Sequence, residues 1–232
     1  MENKLFTRMI ALVVIPAFLY MIYVAGSWGL ADIHFSLAKK EINNWQSGKI
    51  TLEEKDWDRL RATLSKAVRL DPKNPEIHEI LAYAIEGHFF TAVSKEPEAQ
   101  TVRLLALEHF RKAVILRPVW PYGWANLASI KYRLGQIDDE FFEALHNTVK
   151  FGPWEPGLQR LVVELWLNEL AAFPQEEHRF VLEVVSRALE KQPDRILELI
   201  RKKGYLALIC LIKKDNTSVV DYCEKNRKVK EK

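Results

Sequence analysis

From Met9 to Ala31 the chain runs for 23 consecutive residues without a charge, bounded by Arg8 and Asp32. As a helix rising 1.5 Å per residue, this stretch is about 34 Å long, enough to cross a hydrocarbon layer about 30 Å thick. Pro16 is tolerable there, because local adjustments re-satisfy the carbonyl it frees. Trp28, near the end of the run, suits an interface between lipid and water. After Asp32 the pattern becomes that of a polar helix over 32–48, with Ile33, Leu37 and Ile42 at roughly helical spacing and an end near Ser47-Gly48. Thr51 followed by Glu54 reads as the capping box of the next helix. From there to about residue 213 the apolar positions keep a 3.6 period and no stretch alternates like a strand. The breaks fall at proline and glycine, among them Pro72, Pro75, Pro97, Pro118, Pro121, Gly135, Pro153, Pro156, Pro174 and Pro193. The pattern predicts an all-α protein.

The breaks also repeat. Ser65–Pro72 aligns with Arg111–Pro118, a second proline follows three residues later in both (Pro75, Pro121), and a Leu-Ala pair follows at the same distance (Leu81-Ala82, Leu127-Ala128). His146–Pro153, with Pro156, is a third copy; Ala188–Pro193 is a fourth that lacks the second proline. Ala67, Ala113, Thr148 and Ala188 take equivalent places, each a small residue that lets one helix approach its neighbour. Such spacing fits a helical hairpin of about 34 residues with insertions, whose apolar face is buried only when hairpins stack.

The segment Trp124-Ala-Asn-Leu127-Ala128, with Gly135, Thr148 and Pro153, resembles the tetratricopeptide (TPR) repeat. Lys131 stands where that pattern usually has an aromatic residue. The resemblance covers about residues 55–195 and implies an α-hairpin solenoid that binds partners. The phrases Arg117–Trp124 and Phe151–Pro156, beside one membrane helix, further resemble VpsP-type exopolysaccharide-biosynthesis proteins. Similar Pro-Trp-rich repeats occur in the periplasmic part of O-antigen ligase-like polymerases. This second resemblance implies a pathway rather than a reaction. The expected organisation is a cytoplasmic N-terminus and transmembrane helix (1–31), a juxtamembrane helix and linker (32–52), a TPR-like domain (53–213) and a basic tail (214–232).

Composition adds limits. With 48% apolar and 11% aromatic residues the chain can build a core. Its formal net charge is +3, but residues 225–232 hold five basic side chains and one acid, which leaves the remainder near −1. No global basic field points to nucleic acid, and the tail reads as solvated. A cleaved signal peptide competes with a retained anchor, but the apolar run exceeds the 7–15-residue core of a signal. Lys4, Arg8 and the terminal amine precede the helix, and Asp32 follows it. That balance puts the N-terminus inside and the domain in the periplasm of a bacterial inner membrane. Cys210 and Cys223, the only two cysteines, either pair in that oxidising space or remain thiols, Cys210 being in the apolar run Leu206–Ile212.

Chemistry is sparse. Nine scattered glycines make no phosphate loop, there is no GxSxG, and His78-Glu79 lacks the second histidine of a zinc protease, position 82 being Ala82. His78 and His88, ten apart, do not sit on adjacent turns. Asp138-Asp139-Glu140 reads as a helix start. No catalytic, metal or cofactor residue is proposed, and the chain is expected not to be an enzyme. Among the tryptophans, Trp124 is expected in the core. Trp120 and Trp154 lie in inter-proline turns, where they either cover hairpin ends or, with Tyr122, form an aromatic surface for a sugar ring or a partner. Trp120, Tyr122 and Trp154 are the candidate partner-binding set. Arg103, Arg111, Lys112, Lys131 and Arg133 are candidate groove charges. The expected role is a non-catalytic, membrane-anchored scaffold for envelope polysaccharide assembly proteins. A general envelope chaperone, or a polysaccharide-modifying enzyme using Glu155, Glu164 or Glu169, are the alternatives.

Overall fold

The computed structural model describes residues 2–89, 97–213 and 216–230, without the side chains of 2–8, 10, 88 and 227–230. Among the described residues every regular element is helical. The chain divides into two compact units, 1–116 and 117–232.

The first unit contains α1 (Glu2–Gln46), α2 (Glu54–Leu70), α3 (Pro75–Glu86) and α4 (Pro97–Leu116). The uncharged stretch and the polar helix after it form one uninterrupted helix, α1, with Pro16 inside it. Its far half folds against α2 as the first hairpin. The buried positions are Ala31, Phe35, Ala38 and Ile42, at i, i+4, i+7 and i+11, the spacing of a single helix face. Ile33 and Leu37, two of the three apolar positions read from the sequence as that helix's periodic face, are 57% and 65% exposed. The pattern misled because two of the true contact residues are alanines, chosen for close approach rather than bulk. Trp45 meets Trp57 edge-on, ring centroids 4.9 Å apart, and Arg59 donates to both carboxylate oxygens of Glu41.

Helix α2 begins later than expected. Glu53 is its N-cap, and its backbone N–H donates to Asp56 Oδ2 at 3.1 Å, so the box is Glu53/Asp56 and not Thr51/Glu54. Asn74 caps α3 by accepting from the Glu76 and Ile77 amides, with Pro75 in the first helical position, where it has no N–H to leave unpaired.

The second unit contains α5 (Pro121–Leu134), α6 (Asp139–Phe151), α7 (Pro156–Asn168), α8 (Gln175–Lys191), α9 (Pro193–Lys202), α10 (Leu206–Ile212) and α11 (Thr217–Lys230). α5 pairs with α6 and α7 with α8, as α3 pairs with α4. These are the TPR-like hairpins, and α5, α7 and α9 each start with proline. The repeat equivalents Ala67, Ala113, Thr148 and Ala188 are all at most 1% exposed, each on the second helix of its hairpin. Thr148 keeps its hydroxyl satisfied by donating to the Ala144 carbonyl. Gly135 closes α5 at φ 71°, a left-handed conformation suited to glycine.

The segment expected as a tail is helical from Thr217 through Lys230, residues 214–215 lying outside the described residues. Val219 is fully buried, Tyr222 donates its hydroxyl to Glu198 on α9 at 2.9 Å, and a disulfide joins Cys210 on α10 to Cys223 on α11, Cα atoms 6.2 Å apart. Of the basic run, residues 231–232 lie outside the described residues.

Candidate functional site

The turns between hairpins carry the candidate aromatic residues, and the second unit brings two of these turns together. Gly152, at the end of α6, leaves no room for a side chain: a Cβ there would stand 2.9 Å from Pro121 Cβ and 2.7 Å from Leu158 Cδ1. The turn before α7 therefore lies directly on the start of α5. Across this junction the Tyr122 hydroxyl donates to Glu155 Oε2 at 2.9 Å. That bond raises the phenol's pKa, because the adjacent carboxylate opposes a second negative charge.

Trp120 is half-buried. The Arg117 guanidinium stacks over it at 4.0 Å, and the Tyr122 ring lies 5.2 Å away at a tilt. Trp154 is the open member, 54% exposed, with the Lys191 ammonium 5.9 Å from its ring centre. Tyr122 is 41% exposed. The third turn joins the same edge: Gln192 donates to the Pro156 carbonyl at 2.8 Å. Arg117, Lys191 and Gln192 were not singled out from the sequence, and Glu155 was weighed there only as a catalytic acid. Repeat register was the available signal, since Arg117, Gly152 and Gln192 each precede the first proline of their turn.

Trp124 departs from its expected core position. It is half-buried, and its indole N–H donates to the Pro118 carbonyl at 2.7 Å, so it braces the turn that begins its own helix. Trp166 is the core tryptophan here, 2% exposed, its N–H bonded to His178 Nδ1.

Two of the candidate groove charges are internal. Arg103 is fully buried, 3.8 Å from the equally buried Glu86. Lys131 is 1% exposed, and its ammonium lies 2.9 Å from Asp138 and 2.5 Å from Glu140. Its methylene stem fills the place of the missing aromatic residue, and the acids at the start of α6 neutralise the charge. Asp138 also caps α6, accepting from the Phe141 amide at 3.1 Å. Arg111 pairs with Glu108 one turn away; Lys112 is exposed and Arg133 half-buried.

His78 is 2% exposed and pairs with His109, their Nδ1 atoms 2.9 Å apart; the side chain of His88 lies outside the described residues. The Pro72 carbonyl can only accept, so His78 donates through Nε2 at 3.0 Å and its Nδ1 accepts the proton of His109. Among the described residues no group of three or more His, Cys, Asp or Glu side chains is placed to hold a metal ion.

The three carboxylates weighed for catalysis do not share a tryptophan-lined cleft. Glu155 caps α7 beside Trp154, while Glu164 lies nine residues on, about 13 Å along the helix axis. Glu164 stands 3.5 Å from the Lys203 ammonium. Glu169 lines a shallow cleft of about 390 Å³ with Asn168, Leu170, Ala171, His178 and Tyr205, none of them tryptophan.

No family model and no curated protein matches this chain. Among solved structures, one titled as the functional characterization of Pseudomonas aeruginosa pilF aligns over 86% of this chain and 99% of its own, at 13% identity and a TM-score of 0.34. At that score the fold assignment rests on the hairpins described above and not on the superposition.

Proposed function

We propose that this protein is a non-catalytic scaffold, anchored by α1 in a bacterial inner membrane, that assembles components of a cell-envelope polysaccharide pathway on its TPR-like hairpins. The observation that carries this reading is the continuity of α1. A helix apolar and long enough to cross a membrane runs without a break into the first hairpin of an interaction fold. Anchor and first hairpin thereby share one helix. The Cys210–Cys223 disulfide supports a domain outside the cytoplasm, where disulfides persist. The sequence resemblance to exopolysaccharide proteins supplies the pathway.

In this reading the partner meets the edge formed by Trp120, Tyr122 and Trp154, with Trp154 as its most accessible anchor. Co-purification from detergent-solubilised membranes tests both parts. The wild-type protein is expected to recover envelope-assembly components, and Trp154→Ala to lose them by tenfold or more. The same substitution should leave thermal stability within about 0.5 kcal/mol, the range for exposed positions. A wild-type protein that runs alone as a free monomer would sink the scaffold.

A further inference from the structure

How far the first hairpin reaches down α1 can be read from its register. α2 runs antiparallel to α1, with Trp57 against Trp45 and Arg59 against Glu41. Each residue further along α2 therefore descends one residue along α1. Arg69 and Leu70 are then level with about residue 32, and the turn 71–74 with about residues 28–31. Burial agrees. Ala31 is 1% exposed, while Leu30 and Trp28 just below are 54% and 58% exposed. The folded unit thus reaches into the uncharged stretch itself.

Twenty residues from Met9 complete the ~30 Å hydrocarbon layer near Trp28, and the headgroup zone spans roughly the next four residues. The turn 71–74 falls in that zone. α4 returns to the same level: His109 faces His78, so Lys112 is level with about Pro75, and the last turn of α4 with the 71–74 turn. Exposed at this lower end are the cations Lys66, Arg69, Lys73 and Lys112 and the apolar Ile115 (75%) and Leu116 (37%). Asp32 and Asp71 oppose them, while Glu76 and Glu108 are engaged by Lys39 and Arg111. Cations around an apolar tip form the composition that settles into an anionic bilayer surface.

We propose that the turn 71–74 and the end of α4 form a foot that rests among the headgroups of the leaflet from which α1 emerges. Arg69, Lys73 and Lys112 contact the phosphates of anionic lipids, and Ile115 enters the boundary below them. This rests on reading α1 as a retained membrane helix. The foot holds the first unit upright on the bilayer, so that α1 acts as a fixed post and not as a tether.

The native cysteines are paired, so an introduced cysteine takes a nitroxide label alone. Full-length protein carrying Val14→Cys, Lys73→Cys, Ile115→Cys or Lys49→Cys is reconstituted in phosphatidylcholine vesicles with and without phosphatidylglycerol. Power saturation then compares access to oxygen and to a water-soluble nickel chelate. Lys49, at the far end of the hairpin about 27 Å higher, should read as aqueous and position 14 as lipid. Positions 73 and 115 should show an oxygen-to-chelate ratio severalfold above that at 49, rising further with phosphatidylglycerol. If 73 and 115 match 49 while 14 remains in lipid, the foot is overturned and the anchor stands. An aqueous signal at 14 removes both. Indifference of 73 and 115 to phosphatidylglycerol refutes the anionic headgroup as the partner.

Discussion

At the scale of single residues, the pair of buried His78 and half-buried His109 gives the first unit a dependence on pH. In the fold His109 donates its Nδ1 proton to Nδ1 of His78, an arrangement that needs the His78 ring neutral. Burial chiefly, with the neighbouring ring and Lys112, holds His109 down to about 4 from an ordinary 6.5; Glu108 works weakly against this. Burial lowers His78 as well, against the hydrogen bond to Pro72. A base whose folded pKa is depressed is protonated first in the unfolded chain, so stability is complete above pH 6.5 and falls as pH drops toward 4. The shift on His109 sets a ceiling of about 3 kcal/mol for its share. Thermal unfolding followed from pH 7 to pH 4 should show this loss in the first unit, and His109→Gln should flatten the slope. An unchanged slope in that variant would assign the pH dependence to other groups. Nothing in the sequence announced the pair: His78 and His109 are 31 residues apart and meet only because α3 and α4 fold back on each other. The same holds for Arg103 and Lys131. Read linearly they are surface cations; in the fold, the acids that surround them make burial tolerable.

At the scale of elements, legibility followed residue size. The second helices of the hairpins were readable because a small residue and a closing proline recur in each, and Ala67, Ala113, Thr148 and Ala188 all proved to be contact points. The contact face of α1 was not, because Ala31 and Ala38 give no amphipathic signal of their own while exposed Ile33 and Leu37 do. Trp120 and Trp154 could be placed in the inter-proline turns from sequence, but the bond from Tyr122 to Glu155 depended on Gly152 allowing those turns to touch. The last helix, α11, was hidden behind a basic composition, and a disulfide ties it to α10. That disulfide closes a loop of about 14 residues, worth about 3 kcal/mol on loop-entropy grounds. Cys210→Ser should therefore release α11, leaving the Tyr222–Glu198 bond and the Val219 contact to hold it. Hydrogen exchange over 217–226 is expected to accelerate by about two orders of magnitude, with α5–α7 unchanged. Equal protection in both forms would show that packing alone secures α11.

For the molecule as a whole, the decisive property is that the apolar stretch proposed as the membrane span and the first hairpin share one helix axis. In the proposed reading such a helix fixes both the height of the first hairpin and the direction in which it faces around α1, and helical phase separates this from simple tethering. Two alanines inserted after Leu30 leave the buried face Ala31–Ile42 intact but turn it by about 200° relative to the span; four turn it by only about 40° while raising it twice as far, about 6 Å. If partners are themselves held in the membrane, orientation should govern assembly more than height. The two-residue insertion is then expected to abolish recovery of partner components, and the four-residue insertion to restore most of it, with both variants anchored and equally stable. Recovery that declines steadily with insertion length would instead identify height as the controlled quantity. Equal recovery from both variants would mean that α1 serves as a leash, and that the hairpins find their partners without its guidance.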